Sequence, residues 1–155
     1  MGTSKIDTIK IETIIHAPVK KVWQAWTDAD LILNWFGSDP NGKGLKAVLD
    51  PQPGGYFEIT FFNADGTEHT CHGVYRAVER LSKLSFSWAW KNEPGVESVV
   101  TILLTSENDF TRMQFEHAHV GIASKHSYLD GWTRTFEKLD RVLGDTTRCQ
   151  SYETR

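Results

Sequence analysis

Close to the end of the chain, Tyr128, Trp132, Phe136, Leu139 and Leu143 follow one another at steps of four, four, three and four. Side chains at that spacing stack along one side of an α-helix. The spacing predicts one helix over residues 121–143, with Ser127, Arg134, Lys138 and Arg141 on a water-facing side and Gly144 as its stop signal. At roughly 1.5 Å per residue such a helix reaches about 30 Å, enough to cross a small domain. An apolar stripe of that length has to be covered, so the rest of the chain must wrap it.

The rest alternates. Ile9, Ile11, Thr13 and Ile15 oppose Lys10 and Glu12, which makes residues 5–15 a half-buried strand. Pro18 suits a first helical turn, and Val19, Val22, Trp23 and Trp26 have the spacing of a short amphipathic helix. Thr27 to Asp30 reads as a capping box opening a second short helix whose apolar residues are Leu31, Ile32 and Trp35. Strands then follow at 45–49, at 56–62 with Phe57, Ile59 and Phe61 on one face, and at 68–78. The fifth has the clearest alternation, Leu84, Phe86, Trp88 and Trp90 against Ser85, Ser87 and Ala89, before a Pro94-Gly95 turn. The last two, 98–105 and 110–117, place Met113, Phe115 and His117 on one face. Seven strands in consecutive hairpins, two short helices after the first and a long helix at the end predict an α+β domain, its curved antiparallel sheet gripping the helix.

Composition narrows the function classes. A chain of 155 residues suits a single domain with a core over about 5–143 and a polar tail over 144–155. Net charge of -3 with no basic run argues against a nucleic-acid partner. Without a run of about 20 apolar residues, no membrane insertion is expected. Cys71 and Cys149 read as free thiols, which fits a cytoplasmic location. Six Trp and eight Phe are the outstanding content, and converging aromatics line apolar ligand sites as well as cores.

In a meander the C-terminal ends of strands three, five and seven gather where the long helix begins. That placement collects Phe61, Trp88, Trp90 and His117 around Tyr128 and Trp132 and predicts an apolar pocket, with His117, Tyr128 and the indole nitrogens as polar contacts. The alternative is that all of them are core. Trp35 and Phe36 complete the candidate ligand-binding set. His117 and His119 lie two apart and could share a face for metal or proton chemistry, but further ligands at sensible spacing are missing, so no metal or cofactor is expected. His69 and His72 should point to opposite faces, at surface or strand-pairing positions. No nucleophile elbow, phosphate-cradling loop or Cys/His pairing occurs, so there is no recognisable catalytic set.

Ala17-Pro18, Val22-Trp23, Ala25-Trp26-Thr27, Leu33-Asn34-Trp35-Phe36, Asp50 through Pro53-Gly54-Gly55, Asp65-Gly66, Gly73-Val74-Tyr75, Thr111 through His117 and Gly131-Trp132 with Leu139 occur in that order. On these residues the chain resembles the START-like, birch-pollen-allergen-like (SRPBCC) superfamily, and within it the group named for the activator of a heat-shock-protein ATPase. The resemblance implies a helix-grip fold with a hydrophobic cavity for a lipid or polyketide-like small molecule. Two alternatives stay open beside it: a cyclase or hydrolase using the same cavity, with His117 or Tyr128 as acid or base, and a chaperone-associated interaction module. Gln52 stands where the pattern often has Arg, so a role for that Arg is not carried over. Chaperone activation belongs to larger proteins with an additional N-terminal domain, so a chaperone partner is not carried over either. Either a monomer or a homodimer fits the resemblance.

Overall fold

The computed structural model describes residues 8–93, 97–120 and 122–153, with side chains left out of the account at 122–127 and 145–153. The first part of the expected N-terminal strand, the Pro94-Gly95 turn, Gly121, and the side chains of Ser127 and Cys149 fall outside that description.

Strand β1 (Ile9–Ile15) leads into helices α1 (Val19–Thr27) and α2 (Ala29–Ile32). Six strands follow: β2 (Lys43–Leu49), β3 (Tyr56–Phe62), β4 (Glu68–Glu79), β5 (Lys83–Trp90), β6 (Ser98–Glu107) and β7 (Phe110–Ala118). The chain then enters α3 (Ile122–Glu153). All seven strands form one antiparallel sheet in the order β1-β7-β6-β5-β4-β3-β2, a meander closed by the first strand pairing with the last.

Register explains why one face is dry. Ile11 pairs with Phe115, Phe115 with Ile102 and Ile102 with Leu84, so one row of apolar side chains crosses four strands. A second row joins Ile9, His117, Val100, Phe86 and Tyr75. The α3 stripe lies on these rows. Phe115 packs edge-on against Phe136 at 4.9 Å between ring centroids and at a tilt against Trp132 at 4.7 Å, and Leu139 is fully buried. Trp26 of α1 and Trp35 meet edge to face at 4.7 Å and close the core from the side of the short helices.

The Pro53-Gly54-Gly55 turn docks on β4. Gly54 donates to the Tyr75 carbonyl and Tyr75 donates to the Gly55 carbonyl, each at 2.8 Å, next to the register shift between Tyr75 and Ala77. A Cβ on Gly55 would stand 2.0 Å from the Asp50 carbonyl oxygen, so only glycine lets the turn close. Gln52 donates to both Asp50 carboxylate oxygens at 3.0 Å.

Four expectations are corrected. Gly144 does not stop α3, which continues to Glu153: among the described glycines positive φ occurs at Gly37, Gly54 and Gly66 but not at Gly144, and a glycine without the left-handed turn only weakens a helix. The segment expected as a polar tail is therefore helical up to Glu153. Asp28, not Thr27, caps α2, its carboxylate accepting from the amides of Asp30 and Leu31, while the Thr27 hydroxyl bonds back to the Trp23 carbonyl at 2.8 Å. Lys138, expected on the wet side of α3, is buried, because its long stem runs under the loop after α2 and its ammonium reaches the Asp39 carbonyl at 2.8 Å.

Candidate functional site

Where α3 crosses β3, β4 and β5, an open cavity of about 700 Å³ remains between helix and sheet. Its apolar wall is built from Phe36, Phe61, Trp88, Trp90 and Trp132. Strand alternation explains three of these. Phe61 is the third inward residue of β3, and Trp88 and Trp90 are the last two of β5, so the largest side chains stand where the sheet opens. Phe36, from the connection after α2, lies edge-on to Phe61 at 5.5 Å and to Trp132 at 6.0 Å, which bridges sheet and helix.

The rim is polar. Asn63, Glu68 and His69 come from the β3–β4 hairpin, Lys91, Asn92 and Glu93 follow β5, and Ser38 faces them from the loop after α2. That loop is held at both ends. The Asp39 carboxylate accepts from the amides of Asn41 at 2.9 Å and Ala64 at 2.7 Å, and these two bonds hold its pKa below the usual value. The Asp39 carbonyl accepts from Gly42 at 2.9 Å and from Lys138 at 2.8 Å, which ties the loop to α3. Gly37 has φ of +109°, and a Cβ there would come within 2.9 Å of the Phe61 ring, so glycine lets the loop turn tightly beside that wall.

Of the eight candidate residues, Phe36, Phe61, Trp88, Trp90, Tyr128 and Trp132 line the cavity. Trp35 does not. It is buried against Trp26, and its indole N–H donates to the Ala25 carbonyl at 3.0 Å, a bond internal to the core.

His117 does not line the cavity either. It is fully buried, with the Tyr128 ring at 4.8 Å and the Trp88 ring at 5.8 Å covering it. An indole N–H can only donate, so Nδ1 accepts from Trp132 Nε1 at 2.9 Å and the ring proton sits on Nε2, which donates to the Ser98 hydroxyl at 2.6 Å. Burial pushes its pKa down to about 3, so the imidazole is neutral. His117 holds the Trp132 indole through Nδ1, and both of its ring nitrogens are taken up by bonds inside the core. His119 is exposed in the left-handed region at φ 66°, so the two histidines do not form a site. Among the described residues no group of three His, Cys, Asp or Glu side chains is placed to hold a metal ion.

Tyr128 accepts the Trp90 indole N–H at 2.7 Å, and burial pushes its phenol pKa up. His69, expected at a surface or strand-pairing position, pairs with Phe61 and stands 5.9 Å from the Trp90 ring, at the cavity rim. The missed signal was parity: Cys71, Gly73 and Tyr75 face inward on β4, and His69 shares their side.

The family of Activator of Hsp90 ATPase homolog 1-like proteins matches residues 16–144. The chain belongs to this family. Membership places it in the START-like (SRPBCC) superfamily, in keeping with the helix-grip fold. Among solved structures, a protein from Nitrosomonas europaea is similar at 21% identity and TM-score 0.75, covering 91% of this chain and 96% of its own. An AHSA1-like protein from Aeromonas hydrophila is similar at 23% identity and TM-score 0.74, with 90% and 94% covered. A protein from Mesorhizobium loti is similar at 28% identity and TM-score 0.69, with 90% and 98% covered. None of the functionally curated proteins matches the chain in sequence. In family terms, the Pro-Gly-Gly turn and the Gly131-Trp132 pair do separate work here: the turn anchors β3 to β4, and the pair forms part of the cavity wall on α3. No helix among the described residues is long and apolar enough to cross a membrane.

Proposed function

We propose that the protein binds a hydrophobic or amphipathic small molecule in the cavity between α3 and the sheet. The observation that carries this reading is the pairing of a wall of five large aromatic side chains with a rim of exposed polar groups around about 700 Å³ of open space. An apolar body fits inside and a polar head group meets the rim. Burying about 250 Å² of ligand apolar surface contributes on the order of 6 kcal/mol before ordering costs are subtracted, so apolar burial alone gives an affinity no tighter than about tens of micromolar and polar contacts at the rim must supply the rest. The buried, neutral His117 favours binding over acid–base catalysis. The family description names a chaperone ATPase, but nothing in the cavity is specific to a protein partner.

Native mass spectrometry of freshly purified protein, followed by a thermal-shift screen of lipids and planar aromatics, tests the proposal. A co-purifying species or a concentration-dependent rise in Tm is expected. A clean apo mass together with a flat screen would refute it.

A further inference from the structure

We infer that the ligand is an organic cation, an ammonium carried on an apolar body, with its charge held at the cavity rim by the Trp90 ring and the carboxylates of Glu68 and Glu93; this rests on the cavity being a small-molecule site. Three side chains of fixed charge border the cavity, Glu68, Lys91 and Glu93. The carboxylates outnumber the ammonium, and that ammonium is already answered from elsewhere. Lys91 Nζ lies 3.5 Å from Glu58, which is not part of the cavity wall and also accepts from the Tyr56 hydroxyl at 2.8 Å. Glu58 alternates with the inward Phe57 and Ile59 of β3, so this set belongs to the outer face of the sheet. Among the described residues neither Glu68 nor Glu93 has an ion-pair partner. The rim therefore carries net negative charge, and its field attracts a cation and repels an anion.

The backbone brings that charge to the aromatic wall. The Glu93 amide donates to the Trp90 carbonyl at 3.0 Å, a tight turn that folds Glu93 back toward the end of β5. Trp90 donates its indole N–H to the Tyr128 hydroxyl at 2.7 Å, so strand end, turn and helix meet on one side of the opening. In keeping with that placement, the Tyr128 phenol pKa is raised first by burial and further by the Glu93 charge. Trp88 and Trp132 are sealed to 3% and 4% exposure, whereas Trp90 is half-buried and keeps the most open ring surface of the three. An indole face attracts a cation through its quadrupole, more strongly than the ring of Phe or Tyr, and more so where water is partly excluded.

The surroundings separate the classes of head group. A carboxylate or phosphate would approach two carboxylates and find only a lysine that already faces Glu58. A neutral head group gains nothing from the charge. A bare metal ion has no group of three His, Cys, Asp or Glu side chains to hold it among the described residues, and no use for an aromatic wall. An organic ammonium uses every part of the site. Its methyl or methylene groups pack on Trp90, its charge answers Glu68 and Glu93, and its apolar body lies against Phe36, Phe61 and Trp132.

The test uses three probes that share a naphthylmethyl body and differ in the charge of a tetrahedral head: (2-naphthylmethyl)trimethylammonium, 2-methyl-1-(2-naphthyl)propan-2-ol and 2-naphthylmethanesulfonate. Titration calorimetry measures their affinities for the wild-type chain and for a chain carrying Glu68→Gln and Glu93→Gln, two exposed positions outside the core. NMR of the indole N–H signals reports where they bind. The wild type should prefer the ammonium to the alcohol and the alcohol to the sulfonate. In the double variant the ammonium-to-sulfonate affinity ratio should fall about tenfold, since two attractions and two repulsions are lost and each is worth about twofold at a wet rim. A wild-type ranking led by the alcohol or the sulfonate, or a ratio unchanged in the double variant, overturns the inference while the small-molecule reading stands. Ammonium binding that leaves the Trp90 indole signal unmoved overturns it as well. If none of the three binds, the hits of the wider screen decide: neutral or anionic hits overturn the inference, and cationic hits that weaken in the double variant support it. If that screen is also flat, both readings fall.

Discussion

Gly131 sits inside α3 and lines the cavity, so one position can separate stability from binding. Glycine in a helix interior is about 1 kcal/mol less favourable than alanine. An added Cβ at Gly131 would meet only the Ser38 Cβ, at 3.8 Å, an ordinary van der Waals distance, so no clash offsets the gain. Gly131→Ala should therefore stabilise the fold by about 1 kcal/mol, which in a chain of this size raises Tm by about 2–4 °C. Gly131→Leu retains much of the helical gain but projects an isobutyl group into the space between α3 and Ser38. Its Tm should stay at or above that of the wild type while affinity for any hit from the ligand screen drops at least about tenfold, as expected when a pocket is filled. Urea denaturation and calorimetric titration on the three proteins read both effects. A loss of stability in Gly131→Ala would mean that the glycine is there for close packing. Unchanged binding in Gly131→Leu would place the ligand elsewhere.

Three further outcomes follow from buried groups. The folded-state pKa of His117, about 3, lies below the ordinary 6.5. As pH falls the unfolded chain takes up that proton first, so the contribution is complete above about pH 6.5 and is lost progressively toward pH 3. Between pH 7.5 and 5.0 the loss from this group is about 2 kcal/mol; urea denaturation of His117→Gln should show a correspondingly flatter profile, and equal slopes would sink the assignment. Lys138→Met keeps the apolar stem but removes the ammonium bond to Asp39, which should cost about 1–2 kcal/mol and speed hydrogen exchange at Asn41 and Gly42; unchanged exchange would show that the loop does not depend on it. Cys71 is fully buried, and burial pushes its thiol pKa up, so in a Cys149→Ser background it should react with a disulfide reagent only after unfolding. Rapid labelling of the native protein would contradict that burial.

Readings from periodicity survived best where one side of an element had a single job. The Leu84, Phe86, Trp88, Trp90 series and the Trp132, Phe136, Leu139 series both face the core as their spacing predicts. Failures came where a side chain could serve two environments. Lys138 lies at a polar position of α3 by spacing, yet its four-carbon stem carries its charge to a carbonyl 99 residues away in sequence. The inward face of β4 stayed open, and His69 was left between a surface and a pairing position, because β4 has no strong alternation of its own and only pairing with β3 and β5 shows which face is inside. Thr27 and Asp28 are both capping residue types, and one residue of backbone register decides between them.

The sequence alone determined the order of the elements, the faces they bury and the collection of aromatic residues at one end of the sheet, because hydrophobic period and turn residues act locally. Tertiary structure decided which of those aromatics surround open space and which are sealed. Trp35 and His117 carry the same apolar signal as Phe36 and Trp88, but they are closed off by bonds to Ala25, Ser98 and Trp132 from other elements. Whether a bulky group packs or leaves a hollow depends on how several curved and crossing surfaces meet, and no local pattern records that geometry.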